Sequence, residues 1–182
     1  PIGIDNPLNL KRWSSEVRLR TCMAELCGPI NFKFAGDTAV VRHVENNQAV
    51  APETFSLVDV VSLQRPPLDI FRQQLDLVFS WSALREDRAS EILNQAANSA
   101  PFWASVVNLT TSKKYTIEIC SLALDFALYV QTRIKHAFAC ARPTQYSNTL
   151  QPMIATPGHG ALPSGHATEA FLTARVLEGL LG

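Results

Sequence analysis

Between Asp125 and Glu169 the chain carries no carboxylate, yet the same stretch, Phe126–Thr168, holds Arg133, Lys135, His136, Arg142, His159 and His166. A hard cation such as Mg²⁺ or Ca²⁺ needs carboxylate ligands. An anion is served by their absence. Taken alone, the stretch also fits a basic surface strip. Geometry sharpens the choice. Lys135 and Arg142 stand seven positions apart, almost two helical turns. On one continuous helix both project from one face, separated by roughly 10 Å of rise. Arg brings a forked, permanent charge suited to phosphate-like oxygens, and Lys a mobile point charge. His136 points about 100° away from Lys135 and reads as packing.

The second group is Pro163-Ser164-Gly165-His166, which opens a helical pattern. Ser164 is a natural N-cap. Gly165 has no side chain, so a ligand can approach its backbone N–H. The helix N-terminus adds unsatisfied N–H groups and a partial positive charge. His166 falls in the first turn and can act as acid or base near neutrality. By itself Ser-Gly-His is equally a capped helix with an incidental histidine. No Gly-x-Ser-x-Gly elbow is present, and Ser164 with His166 does not establish a hydrolase dyad.

The elements that must position these groups are mostly helical. The strongest is Ser112–Cys140, apolar nearly all round through Ile117, Ile119, Leu122, Leu124, Phe126, Leu128, Val130 and Ile134. A helix apolar on every face is expected to be central and buried, and Pro143 is expected to end it. Residues 143–163, rich in Pro and Gly, read as a loop, and a last helix is expected from about Gly165 to Leu181. Upstream, helical patterns run from Ser14 to Leu26, after Pro66 and Pro67 through Leu68, Phe71, Leu75, Val78 and Phe79, and over Glu86–Ala97. Residues 1–12 read as an extended arm. Residues 28–66 are mixed, with a short strand expected at Thr38–Val44. The resulting organisation is one domain, irregular over 1–66 and a helical core over 67–182.

Composition narrows the classes. The formal net charge is zero, which argues against non-specific nucleic-acid binding. Charged residues are 18%, on the low side, leaving more surface for partners. No run of about 18 apolar residues exists, so no transmembrane helix is expected and a soluble chain follows; no secretory signal opens it. The opening Pro1 is expected to reflect processing or trimming. Cys22 and Cys27 lack zinc-knuckle spacing. All four cysteines read as small buried hydrophobes, with a Cys22–Cys27 disulfide left open.

Together, Lys135-x6-Arg142-Pro143 and Pro163-Ser164-Gly165-His166 resemble the first two signatures of the type 2 phosphatidic acid phosphatase and vanadium-dependent haloperoxidase superfamily. The resemblance spans residues 112–182. It implies an all-α bundle with an oxyanion in its core, held by Lys135, Arg142, Ser164 and Gly165, with His166 as acid/base and Lys135 also catalytic. The segment through Ala167 and Thr168 is similar to the haloperoxidase branch, and His159 stands where algal bromoperoxidases carry a histidine, a candidate for the halide region. The implied cofactor is vanadate, with phosphate able to occupy the same site. Hydrogen peroxide, a halide (bromide) and an organic acceptor are the implied partners. A soluble acid phosphatase, or a helical anion-binding domain without catalysis, is the alternative. The family's third signature, Ser-Arg-x5-His, is not among the residues up to Gly182. The domain is therefore expected to be incomplete, with no metal ligand inside it. The vanadium-ligating His is expected beyond Gly182, on a C-terminal segment or second chain that completes the site. A homo-oligomer stays open.

Overall fold

The computed structural model describes residues 6–46 and 55–181. It corrects the all-α expectation. Helices make up 57% of the described residues, beside a three-stranded antiparallel sheet. The strands are β1 (Ile30–Ala35), β2 (Thr38–Asn46) and β3 (Phe55–Gln64), in the order β1-β2-β3. β1 and β2 join at Gly36-Asp37, where Gly36 takes φ +55, the left-handed conformation that favours glycine in a tight hairpin. A bulge between Val41 and Arg42 shifts the β2–β3 register, so that Val41 faces Val61 and Arg42 faces Asp59. The strand expected at Thr38–Val44 lies within β2. β3 was read only as mixed sequence, because its Val-rich run does not alternate with polar residues as a half-buried strand does.

The helices are α1 (Ser15–Cys27), α2 (Leu68–Gln73), α3 (Leu75–Ser82), α4 (Ala89–Ala97), α5 (Ala100–Ala104), α6 (Lys114–Phe138), α7 (Pro143–Tyr146) and α8 (Gly165–Leu181). The N-terminal arm is a 3-10 turn at Pro7–Arg12; residues 1–5 lie outside the described range. The last helix is described to Leu181, as expected, and Gly182 lies outside the described residues. Leu68 through Phe79 divides at Gln74 into two short helices.

α6 is the central element. It packs on α1, α8 and β2. Its buried stripe, Cys120, Ala123, Ala127, Gln131, Ile134 and Phe138, follows helical spacing on one face. Here the all-round burial expected of it is corrected: Ile117, Ile119 and Leu128 on its other faces are exposed. Arg18 Nε and Nη2 each donate to a Glu118 carboxylate oxygen at 2.8 Å, tying α1 to α6. The main core forms where the end of α6 meets the sheet, from Ala39, Val41, Ile134, Phe138 and Cys140. Ala39 and Val41 alternate along β2, so one sheet face is turned inward. All four cysteines are free thiols. No helix among the described residues is long and apolar enough to cross a membrane.

Candidate oxyanion site

The site is built where α6 stops. Ala139 takes φ 46, ψ 36, and its N–H donates to the Lys135 carbonyl at 3.0 Å. This left-handed residue ends the helix, not Pro143, so Arg142 lies beyond it and the geometry expected from one helical face does not hold. Arg142 instead precedes the single turn α7. Its backbone N–H donates to Gln145 Oε1 at 2.7 Å, which fixes the start of that turn.

The two cations nevertheless converge. Lys135 Nζ donates to the Gly160 carbonyl at 3.3 Å and also to the Pro163 carbonyl. Arg142 Nη2 donates to the same Gly160 carbonyl at 3.4 Å, while its Nε donates to the His159 carbonyl at 3.1 Å. One loop oxygen therefore sits within 3.4 Å of both cationic groups. The convergence comes from the loop folding back across the helix end. Gly160 permits it: a Cβ there would lie 2.7 Å from the Lys135 carbonyl oxygen and 3.4 Å from the Cys140 nitrogen. In sequence Gly160 is simply one glycine of the 143–163 loop.

His159 is drawn into this knot. Its Nδ1 lies 3.0 Å from Arg142 Nη2. The same Nδ1 lies 3.0 Å from the Gly160 carbonyl oxygen; it accepts from Arg142 in one tautomer and donates to Gly160 in the other. His159 is thus a partner of Arg142, and its ring is exposed.

Ser164 caps α8, its Oγ accepting from the Ala167 N–H at 3.3 Å. The backbone N–H groups of Gly165 and His166 have no backbone partner among the described residues, as the first turn of a helix leaves them. Gly165 also serves packing, since a Cβ would meet Gln131 Oε1 at 3.1 Å. Gln131 Nε2 donates to Glu169 at 2.9 Å, and the Gln131 Oε1 is buried without a partner.

Burial divides the group. Lys135 is 3% exposed, whereas Ser164 and His166 are open to solvent and Arg142 is half-buried. Burial pushes the Lys135 ammonium below the ordinary lysine range, and Arg142 pushes it the same way. Glu169 and Cys140 oppose this. Glu169 sits one turn into α8 and so returns to Lys135. The carboxylate-free window in sequence is not carboxylate-free in space. His136 is exposed on α6 and takes no part. The vanadium-ligating histidine expected beyond Gly182 falls outside the described residues, as does Gly182 itself.

Beside the site opens a cavity of about 730 Å³, with Arg142 and His166 in its wall. Trp81, Leu84, Ile92 and Ile154 supply much of the rest. A smaller cavity of about 200 Å³ lies behind Pro143, between Phe71 and Tyr146. Nothing in the sequence marked the α3–α4 wall, because its role arises only through tertiary packing. No family model, curated protein or solved structure matches this chain.

Proposed function

We propose that the protein is a vanadium-dependent haloperoxidase that oxidises bromide with hydrogen peroxide. The observation carrying this reading is the meeting of Lys135 and Arg142 on one carbonyl beside the α8 N-terminus, with Arg142 and His166 sharing a cavity wall. The donor set fits an oxyanion: a guanidinium, a hydroxyl and free amide N–H groups that donate to oxygen, with a buried ammonium behind them. It does not fit a cation, and no cluster of His, Cys, Asp and Glu that could hold one occurs among the described residues.

Bound vanadate would supply the Lewis acidity that activates peroxide toward halide. Arg142 offsets the oxyanion's charge, with Ser164 Oγ and the Gly165 N–H as further donors. Lys135 spends two of its three N–H groups on loop carbonyls. It therefore acts as a buried positive charge behind Gly160, adding to the field at the site and positioning the loop. His166, on the open side, takes or gives the proton at its ring nitrogen. Charges fixed in this way stabilise the reacting anion without reorganising.

The second reading is a phosphatase. The same donors suit a phosphoryl group, and the exposed His166 beside the cavity can protonate a leaving alcohol. Native protein supplied with vanadate, peroxide and bromide is expected to brominate phenol red. His166→Ala should lose most of that rate, about 10²-fold or more. Arg142→Ala should weaken vanadate binding by about tenfold or more. Hydrolysis of phosphate esters without bromination would move the assignment to the phosphatase. Unchanged vanadate affinity in Arg142→Ala would remove the site altogether.

A further inference from the structure

The cavity beside Arg142 and His166 is larger than peroxide, halide and oxyanion require. At about 730 Å³ it falls within the range of about 300–1,000 Å³ typical of pockets that enclose whole organic ligands. Its wall is mostly apolar. Trp81 lies in the last turn of α3, Ile92 comes from α4, and Met153 and Ile154 from the opposing loop. Its charge is one-sided: Arg85, Arg88 and Arg142 line it against a single carboxylate, Glu91. Glu91 is taken by Arg88 at 2.8 Å, and Arg142, held by the His159–Gly160 loop, belongs to the proposed oxyanion site. Arg85 is half-buried in this wall and has no carboxylate partner among the described residues.

We infer that this cavity binds the organic acceptor of the reaction, and that the acceptor is a flat apolar molecule carrying one anionic group. The inference rests on the proposed function, in that Arg142 and His166 mark the reacting end. Arg85 anchors the anion, because a guanidinium pairs a carboxylate, sulfonate or phosphate through two parallel N–H bonds. Trp81 supplies a large exposed aromatic surface for the ring to cover, and Ile92 and Met153 add apolar wall beside it. A neutral hydrocarbon would fill the volume but gain nothing from the Arg85 charge.

The probes are 2-naphthoate and its neutral analogue 2-naphthol, titrated calorimetrically into the native protein, with vanadate titrated in parallel. Naphthoate is expected to bind about tenfold tighter than naphthol, a single good charge-assisted pair. Arg85→Gln should abolish that preference while leaving naphthol affinity unchanged. Trp81→Ala should weaken both aromatics by about fivefold. Neither variant should alter vanadate affinity, and circular dichroism would verify that each folds. Equal binding of the two aromatics, a preference that survives Arg85→Gln, or no binding of either would overturn the inference. Vanadate binding without naphthoate binding sinks the acceptor site alone. Naphthoate binding as described, without vanadate binding, keeps the acceptor site and sinks the haloperoxidase reading.

Discussion

The two walls of the site are built from different material. On one side the end of α6 packs on the sheet, and Ala39, Ile134, Phe138 and Cys140 are all less than 5% exposed. On the other, α2, α3, α4 and α5 contain no buried residue, although they carry Leu77, Phe79 and Trp81 at 58–65% exposure. Lys135 and Arg142 belong to the first wall, whereas the cavity is shared between α3–α4 and the loop after Arg142. A charge site needs fixed geometry, because misplacement of a donor loses most of its value. A cavity for an apolar body tolerates adjustment, since burial energy follows area and not direction. The contrast teaches that positional precision here is concentrated around α6 and the loop at Gly160.

The largest effect should come from attacking the packed wall. Phe138→Ala removes a nearly buried aromatic side chain from the sheet–helix core and is expected to cost about 3–5 kcal/mol in urea unfolding. Phe79→Ala on α3 should cost less than about 1 kcal/mol, because its ring is largely in water. Similar costs for the two would erase the distinction between the walls.

Gly160 tests the link between that wall and the charge site. Gly160→Ala pushes a methyl group against the backbone of Lys135 and Cys140, where neither atom can swing aside. The loop must move, at a cost of about 1–3 kcal/mol. Because Lys135 and Arg142 meet on the Gly160 carbonyl, vanadate affinity should fall by about tenfold or more. Gly158→Ala is the control, since a Cβ there meets nothing within 4 Å. Equal effects at the two glycines would show that the close approach is unimportant.

How much of this was legible in sequence differs between the walls in the same way. The last helix could be bounded, because Ser164 caps it and its apolar spacing persists to Leu181. Type and spacing single out Lys135 and Arg142, but no shared helix face brings them together, because Ala139 turns the chain between them. Nothing local announces a left-handed alanine. β3 escaped notice because its apolar run lacks alternation, and with it went the all-α class. Glu169 shows the limit of a window drawn along the chain, since one turn of α8 carries its carboxylate back to Lys135. The cavity wall was illegible for another reason: Trp81, Arg85 and Ile92 lie far upstream of the motifs, and only tertiary packing places them around the cavity that His166 also lines.

The buried Lys135 gives a subtler test, because two properties should move in opposite directions. Its folded pKa is depressed, chiefly by burial. Between that value and the unfolded value near about 10.4, the unfolded chain binds more protons than the native one, so this group's contribution to stability rises with pH. Oxyanion affinity should fall over the same window, as the charge behind Gly160 is lost. Sulfate, which does not titrate there, is the suitable probe. In Lys135→Met the alkaline fall in sulfate affinity should flatten, and so should that part of the stability rise. Parallel pH profiles for native protein and variant would show that Lys135 contributes no field to the site.

The smallest expected effect lies at Ala139, and its sign is the informative part. An alanine held at φ 46 brings its Cβ close to the backbone, at a cost of about 1–2 kcal/mol relative to a right-handed residue. Glycine avoids that cost but loses more conformational freedom on folding, about 0.4–1 kcal/mol. The Ala139 side chain is exposed, so removing its methyl group sacrifices little packing. Ala139→Gly should therefore stabilise the protein by about 0.5–1 kcal/mol, leave vanadate affinity unchanged, and raise the urea midpoint without altering the slope. A gain shows that the turn is imposed on the alanine by the packed wall, with the loop's grip on Lys135 and Arg142 compensating for the strain. A loss would mean that the left-handed turn is not how this helix ends, and the geometry joining Arg142 to Lys135 would have to be rebuilt from another stop.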